Sequence, residues 1–596
     1  MVAKVPSSDT RAASINLSML GMSGSRRVRV ASLGVAMAVL ATGWLTPGSA
    51  SVPAGARPAG QAAKPELTSF RVAPAGATEQ LALSWSYGTA PVTRLHLDLY
   101  SIAAGNAVRL GSTIVGNTVE PRSYSIPVPP GTWAVRATPE NASGFGVGIT
   151  SAAVTVRNSC ASAGLCVTVT NPSRRVAIRL AGQGFLNGTS SWTTSRISSA
   201  LTPLAPKQLR AAGSAAHARA AQVHASSTQV LSDLWNNATA RFGYAQTPWS
   251  DWNRWKSFVA STVATAERQG WAPNYWDVWN EPNGTCCPRF SPVDLATASV
   301  DKWLETYVVA WQAIKSVDPR AQVIGPSLSA LQWAPGSPSE FDLDTFLAYS
   351  AAHHVVWSAI SWHENTNAPS PGDIASSVTN VDRHVAMARA VMARHPGTVT
   401  GNRIFVNEYD PASTHLLAGW AVGYFHAFEA DGVSQANLAC WDAGDCTTDL
   451  DGLLTPTGQP TAVWWAHRAY AQLAGQPQMT VGTNAAWQLD GLATRDDAHH
   501  TLRVLLGRHY SCNEPVNPWC TYDAHIAPTS VSMSIAWPYG SAPVTVTTNR
   551  LPAGDGALRA PVVIGTTRVR PVNGRLSVRV ASVADGDALS IVARPA

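Results

Sequence analysis

The chain has 596 residues, which is too many for one domain, so two to four domains are expected. Its apolar fraction of 45% is ordinary for a folded protein. Its formal net charge of +6 comes from scattered arginines without basic runs, which argues against a nucleic-acid partner.

The first 50 residues have the pattern of a secretory signal peptide. Arg26, Arg27 and Arg29 precede an uncharged apolar run at 30–45, and the small residues at 48–50 offer a cleavage site. The run is too short for a comfortable membrane span, and no later stretch is long enough. We therefore predict a secreted protein with no membrane partner. Residues 51–66, rich in Ala, Pro and Gly, predict a linker.

The eight cysteines suit an oxidising compartment. Three close pairs bracket polar or glycine-rich loops and predict the local disulfides Cys160–Cys166, Cys440–Cys446 and Cys512–Cys520. Cys286 and Cys287 are adjacent, and a bridge between neighbours would be strained, so they are either free or paired elsewhere. Because the chain has no CxxC or HExxH pattern, we predict no metal site and no cofactor.

Residues 67–157 contain about seven short alternating strands, a pattern that predicts a β-sandwich. The strands that carry Trp85 and Trp133 resemble a fibronectin type III module. Residues 158–180 predict a β-hairpin that joins this module to the next domain.

Residues 181–476 alternate short apolar strands with helical stretches, which predicts a TIM barrel of eight βα units. The first strand is placed at Phe185, a weak second unit near Val223, and the third strand at 229–235. Glu281 is expected to end the fourth strand and Glu408 the seventh. Residues 477–596 return to strand patterns and predict a second β-sandwich.

The central stretch of the predicted barrel is 275–283, an aromatic strand followed by an Asn-Glu-Pro-Asn turn. Pro282 has no amide hydrogen for a strand ladder, so we expect the strand to end at Glu281. The C-terminal ends of barrel strands are where catalytic groups lie.

Glu281 and Glu408 are the two acidic residues expected at strand ends on opposite sides of the pore. Two such carboxyl groups are what glycoside hydrolysis requires. The Asn280 amide is expected to bind a sugar hydroxyl, and the Tyr409 phenol to keep Glu408 ionised. Asp277 has no special pattern and is left out of the catalytic set.

The motifs at 279–283 and 407–409 resemble glycoside hydrolase clan A, most closely family 39, whose members include β-xylosidases and α-L-iduronidases. The resemblance covers roughly residues 181–596. It implies a retaining enzyme with Glu281 as acid/base and Glu408 as nucleophile. It also places His363 and Glu364 on strand six, and Trp441 on strand eight, at substrate subsites.

Flat indole rings suit sugar faces, and the chain has 23 Trp residues. We expect Trp235, His363 and Trp441 to surround a pentose or hexose unit of an oligosaccharide or polysaccharide, with a xyloside or arabinoside favoured by the resemblance. Two alternatives stay open: a transglycosylase, which no residue separates from a hydrolase, and a non-catalytic sugar-binding protein. The presence of both carboxylates argues against the second alternative.

Overall fold

The computed structural model describes the following residues: 63–74, 80–90, 92–103, 106–116, 123–128, 130–157, 164–171, 176–186, 194–210, 213–240, 245–283, 298–331, 341–365, 378–411, 414–439, 452–510 and 526–596. The signal peptide and nearly all of the predicted linker lie outside these residues, as do Trp441 and every cysteine except Cys166. The three disulfides therefore stay predictions. Among the described residues, no helix is both long and apolar enough to cross a bilayer.

Eight parallel strands close into a barrel, which confirms the predicted TIM fold. Its first and last strands pair, with Gly184 opposite Asn437. The strands, in chain order, are Gly184–Leu186, Gln208–Arg210, Ser226–Val230, Tyr275–Asp277, Val323–Leu328, Ala359–Glu364, Ile404–Tyr409 and Gln435–Leu438. The fifth to seventh are buried along their whole length, since helices cover the outside of a parallel sheet and side chains fill its inside.

The helices around the barrel begin and end with residues suited to those positions. Asp251 and Ser299 accept hydrogen bonds from the backbone amides of Arg254 and Lys302, which caps two helices. Gly270 ends the first of these with φ +71°, a conformation that glycine adopts without strain. The α-helices are Thr194–Ala200, Ser214–Gln222, Leu231–Thr239, Trp252–Gln269, Val300–Val317, Leu343–Ala352, Val381–Arg394, Ala418–Asp431 and Ala462–Ala471. Short 3-10 turns occupy Thr202–Leu204, Pro248–Ser250, Val378–Asn380 and Thr400–Asn402.

Two barrel strands differ from their predicted positions. The second strand is Gln208–Arg210, whereas Val223 only caps the helix that follows it. The third strand ends at Val230, and a helix begins at the next residue without a side-chain cap. The apolar run at 229–235 therefore crosses from a strand into a helix, and Trp235 is helical.

The fourth strand is shorter than predicted, because it ends at Asp277 and not at Glu281. The chain continues beyond the ladder, and the Glu281 amide donates to the Ser327 carbonyl oxygen at 2.9 Å. Glu281 itself has φ +53°, in the left-handed region that a residue with a side chain rarely adopts. This turn carries its carboxyl group over the end of the barrel.

The N-terminal module consists of two antiparallel sheets that bury Trp85 and Trp133 in one apolar core, as a β-sandwich does. Its resemblance to fibronectin type III stays a prediction. One sheet contains Leu67–Pro74, Gln80–Tyr87 and Ser123–Pro127. The other contains Arg94–Ala103, Asn106–Gly116, Gly131–Asn141, Gly144–Phe145, Ile149–Thr150 and Val154–Val156.

The C-terminal region forms one continuous row of nine strands, and one of them comes from before the barrel. Leu165–Thr170 pairs antiparallel with Gln478–Thr483 and parallel with Thr529–Ala536. The segment predicted as a joining hairpin is therefore part of this sheet. The remaining strands are Leu489–Asp496, Thr501–Arg508, Val544–Leu551, Val562–Val569, Arg575–Val583 and Ala588–Pro595.

The barrel helix Ala418–Asp431 packs directly on this sheet. Its Gly419 lies so close that an added Cβ would fall 2.0 Å from the Arg508 carbonyl oxygen. Gly507, on the sheet, approaches the Gly419 carbonyl in the same way. Backbone meets backbone at this contact, so the sheet and the barrel form one packed body.

Candidate active site

The two predicted catalytic carboxyl groups meet at the C-terminal end of the barrel. Glu281 lies on the turn after the fourth strand, and Glu408 lies inside the seventh. Both are buried, with exposed fractions of 5% and 2%. A carboxyl oxygen of Glu281, one of Glu408 and a ring nitrogen of His363 all lie within 4.8 Å of one another. The two carboxyl groups and the ring therefore form one compact cluster.

Arg210 provides the positive charge of the site. Its Nη1 donates to Oε1 of Glu408 at 2.6 Å, and its Nη2 donates to Oδ1 of Asn280 at 2.8 Å. The side chain is almost completely buried, and the carboxylates around it raise the pKa of its guanidinium against the opposing effect of burial. A permanent cation in hydrogen-bond contact with Glu408 stabilises the ionised form of that carboxyl group.

His363 lies between the two carboxyl groups. Its Nδ1 is 2.9 Å from Oε1 of Glu281 and 3.6 Å from Oε2 of Glu408. Burial lowers the pKa of His363 to about 4, so the ring is neutral near pH 7. A neutral imidazole can accept a hydrogen bond from a protonated Glu281 or donate one to an ionised Glu281 at the same atom, depending on its tautomer.

Opposing effects act on the pKa of the Glu408 carboxyl group. Burial raises its pKa, and repulsion from Glu281 acts in the same direction, whereas His363 and Arg210 act to lower it. The net result is a pKa of Glu408 above the ordinary value for glutamate. Two carboxyl groups this close compete for one proton, which is the condition under which one acts as an acid while the other is ionised.

Two amides complete the surroundings of the carboxylates. Asn365, just after the sixth strand, donates from Nδ2 to Oε2 of Glu408 at 3.0 Å. Asn280 accepts from Arg210 through Oδ1, and its Nδ2 has no hydrogen-bond partner in the described part of the chain. The role predicted for Asn280, a hydrogen bond to a substrate hydroxyl, stays a prediction.

Three predicted substrate-binding residues lie elsewhere. The Tyr409 phenol donates to the Gly182 carbonyl oxygen at 2.9 Å, so it does not hold Glu408 ionised as predicted. Glu364 accepts from Trp362 Nε1 at 2.5 Å and contacts His384 Nδ1 at 2.6 Å, on the helix side of the sixth strand.

Trp235 is the third of these, and it is a core residue. Its Nε1 donates to the Gln246 carbonyl oxygen at 2.6 Å, and its ring packs edge-on against Trp255 and Phe258. It is 1% exposed and does not line the mouth of the barrel. The structure thus brings Glu281, Glu408, His363 and Asn280 together; Trp441, the remaining predicted residue, is outside the described residues.

Sequence reasoning missed four buried residues of this site: Arg210, Asp277, Asn365 and Asn407. Asp277 accepts from Arg210 through Oδ2, at 3.0 Å from Nε and 2.9 Å from Nη2. The one available signal was Asp277, a charged residue in a strand whose other two residues are aromatic. A charged residue in such a strand needs a partner when it is buried.

Glu281, His363 and Glu408 are also the one group in the described residues whose donor atoms come close enough for a metal ion. Arg210 lies in direct contact with Glu408, and its fixed positive charge opposes a second cation. We therefore assign no metal to this site.

Comparison with known proteins agrees with the fold. No protein-family profile matches the chain. A β-xylosidase of Geobacillus stearothermophilus is 30% identical over 128 residues, which is 20% of this chain and 22% of that protein, so the alignment spans about a fifth of the relative.

Similar solved structures cover most of the chain. The structure of N2152 from Neocallimastix frontalis matches with a TM-score of 0.56 at 18% identity, over 73% of this chain and 100% of that one. A monomeric β-xylosidase from Caulobacter crescentus CB15 matches at 0.53 and 13% identity, over 72% and 99%. The GH39 enzyme from Xanthomonas axonopodis pv. citri matches at 0.51 and 13% identity, over 73% and 98%. At these identities the matches show a shared fold.

Proposed function

We propose that this chain is a retaining glycoside hydrolase that cleaves O-glycosidic bonds in an oligosaccharide or polysaccharide, with a xyloside or arabinoside as substrate. The observation that carries the proposal is the pair of buried carboxyl groups, Glu281 and Glu408, whose oxygens lie within 4.8 Å of each other at the end of a TIM barrel. Retaining enzymes hold these groups about 5–5.5 Å apart, whereas inverting enzymes need roughly 6.5–9.5 Å to admit a water.

The reaction proceeds in two steps. Glu408 attacks the anomeric carbon and forms a glycosyl ester, while Glu281 gives its proton to the departing glycosidic oxygen. Glu281, now ionised, removes a proton from water, which attacks the same carbon and releases Glu408. Arg210 supports this assignment because it donates to Glu408, and His363 supports it because its Nδ1 lies closer to Glu281.

The choice of sugar follows the similarity to β-xylosidases and the resemblance to family 39. The test is a panel of aryl xylosides, arabinosides, glucosides and uronides, followed by proton NMR of the anomer formed first. Release with retained configuration is expected. Inversion would overturn the mechanism, and no release from any member would favour the sugar-binding alternative. A transglycosylase would instead give longer products when a sugar acceptor is present.

We also propose that the protein is secreted, since a signal-like N-terminus precedes a cysteine-containing chain. N-terminal sequencing of the exported protein is expected to place the mature end near residue 50.

Peptide mapping without reduction is expected to show the three local disulfides predicted above, and long-range links between those pairs would contradict them.

A further inference from the structure

Asp277 lies at the end of the fourth strand and has no exposed surface. Its two oxygens receive hydrogen bonds from three side chains. Arg210 donates to Oδ2 from Nε and Nη2, and Asn407 donates to the same oxygen at 3.0 Å. Ser327 donates to Oδ1 at 2.8 Å. Each of these side chains can donate to it, so the site accommodates an ionised carboxylate.

The donors around Asp277 are themselves held in place. Asn407 Nδ2 also lies 2.7 Å from the Ser327 hydroxyl, and the Ser327 amide donates to the Ser361 hydroxyl at 3.1 Å. Ser327 has φ +54°, a left-handed conformation. These residues belong to the fifth, sixth and seventh strands, so Asp277 is fixed from three sides of the barrel.

Asp277 in turn fixes the plane of Arg210. The guanidinium is rigid and planar, and two of its nitrogens, Nε and Nη2, bond to one carboxylate oxygen. This leaves Nη1 as the nitrogen that points at Glu408, where it makes the shortest of the guanidinium contacts, at 2.6 Å. The orientation of Arg210 toward Glu408 therefore depends on Asp277.

We propose that Asp277 is a positioning residue for the reaction: it orients Arg210, and through Arg210 it keeps Glu408 ionised and directed into the site. This inference rests on the proposed function, in which Glu408 is the nucleophile. Asp277 does not touch the reacting atoms and is proposed to act through the guanidinium.

The substitution Asp277→Asn tests this at nearly constant volume. The new amide is uncharged and has one acceptor oxygen, so the anchor of Arg210 is weakened and its 2.6 Å contact with Glu408 is no longer fixed. We expect kcat to fall on the order of 100-fold, as misplacement of about 1 Å does in other enzymes, with KM changed less than about threefold. The acid limb of the kcat/KM profile should move to higher pH by about one unit, because the ionised form of Glu408 loses stabilisation.

Two further variants separate positioning from general loss of structure. Asp277→Glu keeps an acceptor-only carboxylate and should recover part of kcat and of the pH profile. Glu429→Gln is the matched control: Glu429 is a buried carboxylate that accepts from the Ala181 amide and Tyr470, away from the site. It should leave the acid limb where it is in the wild type. If Asp277→Asn does not fold, Ser327→Ala removes one donor and should shift the limb in the same direction by a smaller amount.

A measurement that needs no substrate distinguishes this inference from the proposed function. With ¹³C-labelled glutamate, the Glu408 carboxyl resonance is assigned from its loss in Glu408→Gln and titrated in wild type and in Asp277→Asn. A rise in the Glu408 pKa supports the inference even if no glycoside is cleaved. An unchanged or lower Glu408 pKa overturns it, as does wild-type kcat in Asp277→Asn, and neither result affects the hydrolase assignment.

Discussion

The Nδ1 atom of His363 lies 2.9 Å from Oε1 of Glu281, inside the barrel and out of contact with solvent. Because burial lowers the pKa of His363 to about 4, the ring contributes no charge to this contact near neutral pH. The two groups therefore share a hydrogen bond that does not require a charged ring, and this bond helps to position Glu281, the proposed acid.

Replacing His363 with Ala should impair proton donation by Glu281 more than attack by Glu408. We expect kcat/KM to fall about 10-fold to 100-fold for substrates with poor leaving groups, since general acid catalysis contributes roughly 10²–10⁴ and only part of it is lost. Activated aryl glycosides should lose less. The test measures kcat/KM of His363→Ala on both kinds of substrate. The control is His395→Ala, a histidine that contacts Asp344 on the outside of the barrel. Equal losses on both substrates would contradict the role.

The two carboxyl groups should respond differently to removal. Glu281→Ala should slow substrates with poor leaving groups far more than activated ones, because only the former need a proton, and added azide should rescue it. Glu408→Ala should be inactive on both, because no ester can form. Steady-state rates on a leaving-group series check this, and a Glu281 variant with full activity on poor leaving groups would show that the assignment is wrong.

Tyr409 allows a test of which face of the seventh strand contributes to catalysis. Its phenol donates to the Gly182 carbonyl, and its ring packs against Tyr424 and Phe428. Tyr409→Phe should therefore keep kcat within about twofold and lower the free energy of unfolding by about 1 kcal/mol, the usual cost of one hydrogen bond. Urea unfolding and steady-state kinetics measure the two quantities. A large loss of kcat with unchanged stability would restore Tyr409 to the site.

The burial of His467 leads to a prediction of how the free energy of unfolding depends on pH. It is fully buried, its Nδ1 contacts Gln183 Oε1, and burial lowers its pKa to about 3, from the ordinary histidine value of 6.5. Between these two values the unfolded chain binds a proton that the folded chain excludes. The contribution of His467 is therefore complete above pH 6.5 and is lost as the pH falls toward 3, at up to about 1.4 kcal/mol per pH unit.

Urea unfolding at about pH 6.5 and about pH 4.5 tests this. The His467→Gln variant should lose part of the acid sensitivity of the wild type, on the order of 2 kcal/mol across that interval. The matched control is His354→Gln, at an exposed position just after the helix Leu343–Ala352, which should leave the dependence unchanged. If the free energy of unfolding of His467→Gln depended on pH as steeply as that of the wild type, the folded state would not exclude the proton from this ring.

Alternation along strands explains part of what the sequence patterns did not reveal. Successive side chains of a strand usually point to opposite faces, and Tyr409 and Glu364 do point away from Glu408 and His363. Asn407 and Glu408 break this rule, since both reach into the site where the strand pairing is irregular, so alternation alone does not assign the faces there. The barrel and the positions of Glu281 and Glu408 were predictable because long helical stretches separate the apolar strands.

Other features could not be found from local patterns. The second strand has three residues and ends in Arg210, so no periodicity marks it, and its partner Asp277 is 67 residues away. The run around Trp235 is apolar on both sides of the strand-to-helix boundary at Leu231, where no capping side chain signals the change. Tertiary packing, and not propensity, determines both.

The strand Leu165–Thr170 has a consequence for how the molecule is made. It leaves the ribosome before any part of the barrel, yet both of its partners follow the barrel, and its Cys166 amide bonds to Asn484 across 318 residues. During synthesis this strand has two unpaired edges until the last fifth of the chain is available. The barrel is thus flanked by a sheet that is completed last, and a gene fragment ending near residue 476 would encode a barrel preceded by an unpaired β-strand.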